Sequence, residues 1–282
     1  MIYIYGINIY KNILRGENMV NLVIIGPKGK MGKLITKFAY EDEKINVVGG
    51  VAPRGRDYIG EDIGLACNLG KNIGAIVYDD LNDIIQKCDV IVDYTSPEVS
   101  MDVIKTAVKY NKSVVCGTTG FSKEEFYTIK EYSNHIPILY AANTSRIVNL
   151  MYKILDMVTK SIGDEADIEI IEMHDRFKKD APSGTSKEMG SVIANALNKD
   201  FSDLAEYGRC GIGERREGSV GYHSIRSGDI SSSHTVMFGM MGERFEITHH
   251  AYNWDCFAKG ACKSITYLYE KEAGLYSVED IL

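Results

Sequence analysis

The stretch VNLVIIGPKGKMGKLITKFAY, residues 20–40, decides the fold. It begins with an apolar run typical of a buried strand, continues through a glycine-rich loop, and ends in a segment with helical periodicity. Glycine recurs in the loop as Gly26-x-x-Gly29-x-x-Gly32. The first glycine permits a tight turn, the second lets the backbone approach a phosphate, and the third allows the helix to pack closely on the strand.

A pyrophosphate site is the function that this loop predicts. A helix N-terminus presents N–H groups and the positive end of the helix dipole to an anion. Lys28 and Lys30 add two cations, which favours phosphate over the alternative, a glycine-rich turn without a ligand. The pyrophosphate-binding residues predicted from the loop itself are Gly26, Pro27, Lys28, Gly29 and Lys30.

Strands and helices alternate through residues 19–145. Ser96-Pro97 and Ser122-x-x-Glu125 are typical helix starts. Because alternating strands and helices form parallel sheets with right-handed crossovers, this part predicts a Rossmann dinucleotide-binding domain. Further short apolar runs predict strands over residues 45–51, 90–93, 113–116 and 136–140.

The end of the second predicted strand bears on the choice of dinucleotide. In NAD-binding proteins an acidic residue about 20 residues beyond the loop binds the ribose hydroxyls. This chain has no acidic residue there before Asp57, whereas Arg54 and Arg56 suit a 2′-phosphate. We therefore expect NADPH to be preferred over NADH, with Arg54 binding the phosphate. The alternative is that both arginines are solvated loop residues.

Residues 146–255 have a different pattern. A helical segment over residues 148–161 precedes a strand over residues 167–173, and Thr185-x-x-Glu188 predicts a capping box at the next helix. A run of long strands after a βα half predicts a separate α+β domain with a mixed or antiparallel sheet. These long strands are expected over residues 219–226, 234–238 and 244–250.

The loop HDRFKKDAPSGT, residues 174–185, carries the most chemistry. His174 and Lys178 are both capable proton donors. The N–H groups of Gly184 and Thr185, at the start of the next helix, could bind a substrate carboxylate. The cations of the loop could neutralise a second carboxylate, which predicts a small dicarboxylate substrate. The alternative is a solvated basic loop in which the histidine only ends a strand.

Composition excludes several classes of protein. The chain has 282 residues, with 32 Lys+Arg against 39 Asp+Glu and a net charge of −7, which argues against nucleic-acid binding. No run reaches the ~20 apolar residues of a membrane helix. Six cysteines without C-x-x-C pairs or metal-ligand spacing predict reduced thiols, no metal site and a cytoplasmic location.

Residues 1–18 form an N-terminal extension without a place in this scheme. Their cations, Lys11 and Arg15, follow the apolar stretch, whereas in a signal peptide they precede it. Arg15-Gly16-Glu17 can be encoded by a purine-rich ribosome-binding sequence. We therefore interpret Met19 as the natural start and the extension as a mis-assigned one.

Several motifs occur in one order along the chain. The most specific is Lys178-x-Asp180-Ala181-Pro182-Ser183-Gly184-Thr185. The other motifs are Gly26-x-x-Gly29-Lys30-Met31-Gly32, Asp93-Tyr94-Thr95, Gly117-Thr118-Thr119-Gly120, Ala141-Ala142-Asn143, Ile170-Ile171-Glu172-Met173-His174, Gly228-Asp229-Ile230, His234-Thr235 and Gly242–His249. In these motifs the chain resembles the dihydrodipicolinate reductase family of the diaminopimelate and lysine pathway, whose activity is that of a 4-hydroxy-tetrahydrodipicolinate reductase.

The resemblance implies a fold, a reaction and site residues. It implies a Rossmann domain, a domain over residues 146–255 for substrate and homotetramer contacts, and a segment over residues 256–282 that returns to the Rossmann domain. Hydride would pass from NADPH or NADH to a cyclic imine dicarboxylate formed on loss of water. His174 would donate or accept a proton, Lys178 would donate one, and Gly184 and Thr185 would bind a carboxylate. The implied nicotinamide-site residues are Gly117, Thr118, Thr119, Ala141, Ala142, Asn143 and Thr144. The resemblance also implies that the whole loop Gly26–Met31, Met31 included, binds the pyrophosphate.

The chain departs from the family pattern at a few positions. Asp175 stands where the family usually has a second, substrate-contacting histidine, so it must turn away, pair with a cation such as Arg176, or weaken binding. The alternative is a substrate that Asp175 contacts directly, namely a different cyclic imine. A non-catalytic NADPH-binding paralogue is a further alternative, which the intact proton donors disfavour. The remaining departures are Pro53, Thr144, Ile147 and Trp254.

Overall fold

The computed structural model describes residues 19–282. The extension predicted over residues 1–18 lies outside the described residues. The described chain forms two compact units. One runs up to Ser145 and includes Phe257–Ile281, and the other comprises Arg146–Cys256 with Leu282.

The first unit is built on seven strands, namely β1 Val20–Ile25, β2 Ile45–Val51, β3 Ile76–Tyr78, β4 Val90–Asp93, β5 Ser113–Cys116, β6 Pro137–Tyr140 and β12 Gly274–Tyr276. All pair in parallel, in the order β12-β6-β5-β4-β1-β2-β3. Its helices are α1 Lys30–Glu41, α2 Ile63–Ala66, α3 Pro97–Tyr110, α4 Lys123–Ser133 and α8 Asp255–Leu268. The predicted Rossmann-type α/β fold is confirmed.

Both faces of this sheet are buried, which explains why β1 is apolar from Leu22 to Ile25. Leu22 and Ile24 enter one core, where they pack with Ile265 of α8. Val23 and Ile25 point to the opposite side and enter a second core. A strand covered on both faces needs apolar side chains at every position.

Two helix starts in this unit were predicted from sequence. Ser122 and Glu125 form the reciprocal capping box of α4, as predicted. Ser96 is the N-cap of α3 and Pro97 lies in its first turn, although the Ser96 side chain makes no capping hydrogen bond. Of the helices described, none combines the length and the apolar composition needed to cross a bilayer.

The second unit carries a five-stranded mixed sheet in the order β11-β10-β7-β9-β8. β7 pairs in parallel with β9 and antiparallel with β10. The predicted α+β character is therefore confirmed. The strands are β7 Asp167–His174, β8 Ala205–Tyr207, β9 Val220–Arg226, β10 Ser232–Met240 and β11 Glu243–Ala251, and the helices are α5 Arg146–Ile162, α6 Gly184–Ala196 and α7 Phe201–Leu204.

The start of α6 differs from the prediction. Its N-cap is Ser183, whose hydroxyl accepts a hydrogen bond from the Ser186 N–H. Thr185 lies inside the helix, so the predicted Thr185-x-x-Glu188 capping box is wrong. The Ser183 hydroxyl also contacts His234 Nε2 of β10, at 2.9 Å, which holds the serine against that strand.

Candidate active site

β7 delivers two functional side chains to one face of its sheet. Residues two apart in a strand point the same way, so Glu172 and His174 share the face on which Ile168 and Ile170 pack against α5 and α6. Glu172 is 1% exposed and His174 8%. The predicted proton-transfer residue thus ends a buried strand and has a carboxylate beside it.

Glu172 is the centre of a buried hydrogen-bond network. Its Oε2 lies 2.6 Å from His174 Nδ1 and accepts a 2.7 Å bond from Arg226 Nη1. Its Oε1 accepts from Arg226 Nη2 at 2.7 Å and from the Ser183 N–H at 3.3 Å. The carboxylate therefore joins the end of β7 to β9 and to the start of α6.

The pKa values in this network follow from burial and pairing. Burial raises the pKa of Glu172, but hydrogen bonds from Arg226, Ser224 and His174 outweigh it and bring that pKa to about 2. Burial lowers the pKa of His174, and the bond to Glu172 offsets part of that effect. Burial and the neighbouring His174 lower the pKa of His234 to about 3, so His234 is neutral near pH 7.

The loop between β7 and α6 holds Lys178 against the same network. Lys178 Nζ donates to Asp180 Oδ1 at 2.9 Å, and the Asp180 carbonyl accepts a 2.6 Å bond from Arg226 Nη2. An ammonium group has three donors, so the bond to Asp180 leaves others for a substrate. Arg226 thus fixes the loop that carries the predicted proton donor.

Asp175 turns towards its own loop. Its Oδ1 accepts a 2.8 Å hydrogen bond from the Phe177 N–H, which is an Asx turn. The expected pairing with Arg176 is not the one formed here, because the guanidinium lies over the Phe177 ring, 5.8 Å from its centroid. Of the three outcomes predicted for Asp175, the structure shows the carboxylate turned into a local bond.

The predicted carboxylate-binding pair lies at the first turn of α6. A Cβ on Gly184 would meet nothing within 4 Å, so this N-terminus is open to an approaching group. Thr185 is half-buried and its hydroxyl bonds the Tyr152 side chain of α5. The N–H groups at this helix start suit a carboxylate.

In the first unit, the glycine loop has the shape that a pyrophosphate needs. Gly26 has φ +65°, and a Cβ on Gly32 would lie 2.3 Å from the Gly26 carbonyl oxygen. Gly29 is the N-cap of α1 and supplies no side-chain cap to its N–H groups. The loop residues therefore fit a dinucleotide phosphate. Lys28 lies at its edge, 3.9 Å from Asp57 and over the Tyr58 ring.

Pro27 packs the glycine loop against the sheet and accepts a hydrogen bond from a cysteine. Its ring would be 2.9 Å from a Cβ on Gly50 of β2, so only glycine at residue 50 admits it. Its carbonyl accepts a hydrogen bond from the Cys67 thiol at 3.1 Å. Burial raises the pKa of Cys67, which keeps the thiol protonated and able to donate.

The residues predicted to line the nicotinamide site separate into two groups. Thr119 and Ala142 are exposed, beyond the carboxyl ends of β5 and β6. Thr144 is 2% exposed: its hydroxyl accepts from Tyr94 Oη at 2.9 Å and donates to the Phe257 carbonyl at 2.8 Å. The Thr144 side chain is thus a core element and is not available to a ligand.

Gly117, Thr118 and the buried Asp93 form the base of the same edge. A Cβ on Gly117 would lie 2.0 Å from the Tyr94 ring, so packing alone requires glycine there. Thr118 Oγ1 accepts from the Thr95 N–H and from Ser100 Oγ. Ala141 is buried and Asn143 Oδ1 accepts from the Ser145 N–H at 2.9 Å.

Arg54 lies at the carboxyl edge of β2 and β3. Its guanidinium is 3.4 Å from Asp80 and 3.9 Å from Asp79, and its side chain is 77% exposed. An ion pair this exposed contributes about 0–1 kcal/mol. It therefore orients Arg54 without preventing it from binding a phosphate.

Comparison with known proteins decides the family. The family model described as the N-terminus of dihydrodipicolinate reductase matches residues 20–144, and the model of its C-terminus matches residues 147–282. The chain belongs to the dihydrodipicolinate reductase family. The resemblance predicted from the motifs is confirmed, and the enzyme is an oxidoreductase of a dinucleotide-binding family.

Curated and solved relatives agree with this assignment. The 4-hydroxy-tetrahydrodipicolinate reductases of Citrifermentans bemidjiense and Hahella chejuensis are 40% and 41% identical over 265 residues, 94% of this chain and 99% of theirs. The dipicolinate-bound dihydrodipicolinate reductase of Paenisporosarcina sp. TG-14 is 27% identical, with a TM-score of 0.75 over 94% of this chain and 100% of its own. An amine dehydrogenase of Mycobacterium smegmatis, 10% identical with a TM-score of 0.64 over 92% and 95% of the two chains, shares the fold.

Sequence reasoning gave no role to three residues of the network. Glu172 and His234 were quoted only as members of family motifs, and Arg226 only as the last residue of a predicted strand. The alternation of β7 could have indicated Glu172, since it lies two positions before His174. Arg226 had no local signal, because it lies 54 positions from Glu172 in the sequence.

Proposed function

We propose that this chain reduces 4-hydroxy-tetrahydrodipicolinate, by way of dihydrodipicolinate, to tetrahydrodipicolinate, with NADPH as the preferred reductant. The observation that carries the proposal is the joint placement of His174 and Lys178. Both are anchored to one buried network beside the open N-terminus of α6. This placement supplies proton donors and an anion site together, which a non-catalytic paralogue would not need.

The residues of the second unit bind the substrate and move protons. One carboxylate of the substrate binds the N–H groups of Gly184 and Thr185, and the Lys178 ammonium neutralises the second. Dipicolinate, bound in the relative from Paenisporosarcina, is a planar dicarboxylate, which supports a substrate of this class. Asp175 Oδ1 accepts the Phe177 N–H in an Asx turn, which favours this substrate over the alternative imine that Asp175 would contact directly.

Reduction of the conjugated imine needs one hydride and one proton. The nicotinamide cofactor supplies the hydride, and with it two electrons, when it is bound. Lys178 donates the proton that neutralises the developing negative charge on the ring. His174 Nε2 donates or accepts a proton in the same reaction, since its Nδ1 is occupied by Glu172. Positioned proton transfer of this kind accelerates a reaction by about 10²–10⁴-fold.

A coupled assay of the purified protein tests the function. Freshly prepared substrate should cause a substrate-dependent loss of NADPH absorbance, and a smaller kcat/KM should be found with NADH. The matched blank omits only the substrate. Tight NADPH binding without oxidation of either cofactor above this blank would overturn the proposal and support the paralogue.

Replacing Arg54 by alanine tests the cofactor preference. We expect about 10-fold weaker NADPH binding, ~1.4 kcal/mol, because one charge-assisted contact to the 2′-phosphate is lost. NADH binding should be unchanged, since NADH has no such phosphate. Kd values from cofactor fluorescence measure both. Equal losses for the two cofactors would contradict this role.

We also propose that the protein works as a homotetramer in the cytoplasm. The helices of the second unit pack on one face of its sheet, and the other face presents Ile171, Ile225 and Met237, which a second copy could cover. No disulfide joins any of the six cysteines, all of which lie in the described part of the chain. Sedimentation of the protein used in the assay measures the number of copies.

A further inference from the structure

We propose that Glu172 and Arg226 are positioning residues. Together they determine which nitrogen of the His174 ring carries the hydrogen, and they hold the loop that carries Lys178 in place. The proposal rests on the function proposed above for His174 and Lys178. It adds a reason why one ring nitrogen, Nε2, takes part in proton transfer. It also assigns roles to two residues outside the predicted site.

The first step is the identity of the hydrogen on His174. Glu172 accepts two bonds from Arg226 and one from the Ser183 N–H, which is the bonding pattern of an ionised carboxylate. An ionised carboxylate cannot donate, so the 2.6 Å contact with His174 requires the proton on Nδ1. The neutral ring therefore keeps Nε2 as its acceptor, aimed away from β7.

The second step is the geometry that holds the carboxylate. In the parallel pairing of β7 and β9, Arg226 lies opposite His174 and Ser224 opposite Glu172. The guanidinium reaches back along the strand to bind both carboxylate oxygens at 2.7 Å. A planar fork matched to a carboxylate fixes its plane as well as its position, which a lysine could not do.

The third step connects the two predicted proton-transfer residues. Arg226 Nη2 also donates to the Asp180 carbonyl, and the Asp180 carboxylate binds Lys178 Nζ. His174 and Lys178 thus share one anchor through two short chains of contacts. A change at Glu172 releases the ring first, whereas a change at Arg226 releases both.

Glu172→Gln tests this proposal because it keeps the size and shape of the side chain and removes its negative charge. If the NH₂ group of the glutamine takes the place of Oε1, it faces two donors, Arg226 Nη2 and the Ser183 N–H. Turned the other way, the NH₂ group faces one fixed donor, Arg226 Nη1, and His174 Nδ1. The Ser224 hydroxyl, which also bonds Glu172, can rotate to accept from the amide in either orientation. The second orientation is favoured, and it makes Nδ1 an acceptor and moves the ring hydrogen to Nε2.

The direct readout is the ¹⁵N NMR spectrum of the histidine rings in the free protein. We expect the Nδ1–H form of His174 in the wild type and the Nε2–H form in Glu172→Gln. The charged groups facing His174 are Glu172, Lys178 and Arg226, and His234 lies edge-on at 5.2 Å. Because Glu172 raises the pKa of His174 and the cations lower it, its titration should move to lower pH in the variant.

Glu169→Gln is a matched control on the same strand. Glu169 is also a buried carboxylate, bound by Arg209, Arg215 and His223 at 2.9, 3.0 and 2.6 Å, but it points to the other face of the sheet. It should lose comparable ion pairs and leave the His174 spectrum unchanged. In the enzyme assay, Glu172→Gln should lower kcat about 10²-fold with little change in KM, whereas Glu169→Gln should not.

Each outcome decides the proposal. An Nε2–H form of His174 in the wild type would overturn it, without any variant being made. So would an unchanged His174 spectrum and titration in a folded Glu172→Gln protein. If Glu172→Gln does not fold, Arg226→Lys takes its place and should broaden or shift the His174 signals while retaining the charge. A wild type without reductase activity would refute the proposed function and leave the NMR result standing.

Discussion

Replacing Lys178 by alanine is expected to lower kcat by about 10²–10⁴-fold, the contribution typical of a positioned general acid. The variant removes the proposed proton donor together with the cation that would face a substrate carboxylate, so KM should rise as well. Steady-state kinetics at saturating cofactor measure both changes.

Lys179→Ala is the matched control for this prediction. Lys179 is the next residue, carries the same charge and is exposed. Its loss should change kcat by less than about twofold, because an exposed charge interacts weakly in water. Similar losses in the two variants would show that the loop needs only positive charge, and wild-type turnover in Lys178→Ala would remove its catalytic role.

Replacing His174 by alanine should lower kcat by a similar factor, about 10²–10⁴-fold, with a change in the pH profile that Lys178→Ala does not produce. Burial holds the pKa of His174 below its ordinary value, so in the wild type this group titrates on the acid side of neutrality. The limb of the kcat profile that reports this titration should vanish in the variant.

His250→Ala is the control for the histidine prediction. His250 lies on β11 and contacts Ser233 through Nδ1 at 2.9 Å, on the face of the sheet away from His174. Its removal should leave both kcat and the acid limb in place. An acid limb that persists in His174→Ala would assign that titration to another group.

Local patterns predicted the elements well and the long-range contacts poorly. β1, β4 and β5 were predicted with the bounds that the structure shows, because strands buried on both faces leave short, mostly apolar runs in the sequence. The capping box at Thr185 was wrong because two hydroxyls in Ser183-Gly184-Thr185 could cap α6. The structure uses Ser183, which also contacts His234, 51 positions away in the sequence. The local sequence around residues 183–185 cannot indicate such a distant contact.

The candidate site divides in the same way. His174, Lys178 and Gly184 lie in one short loop whose chemistry is visible in its composition. Arg226 and Glu172 meet only because β9 pairs beside β7, and that strand order cannot be deduced from periodicity. Asp175 was predicted to turn away, pair with a cation or weaken binding, and its effect on substrate binding stays a prediction. Its Asx turn with Phe177 is a local solution that the residue type allowed but did not require.

The two ends of the described chain complete one sheet, and this has a consequence for biosynthesis. α8 supplies Ala258, Ile265 and Leu268 to the core that covers β1, and β12 forms the edge beside β6. On the ribosome, the first unit therefore emerges with an apolar face uncovered until α8 and β12 have been synthesised. Since exposed apolar surface and open strand edges promote aggregation, the nascent chain depends on its last segment for protection as well as for structure.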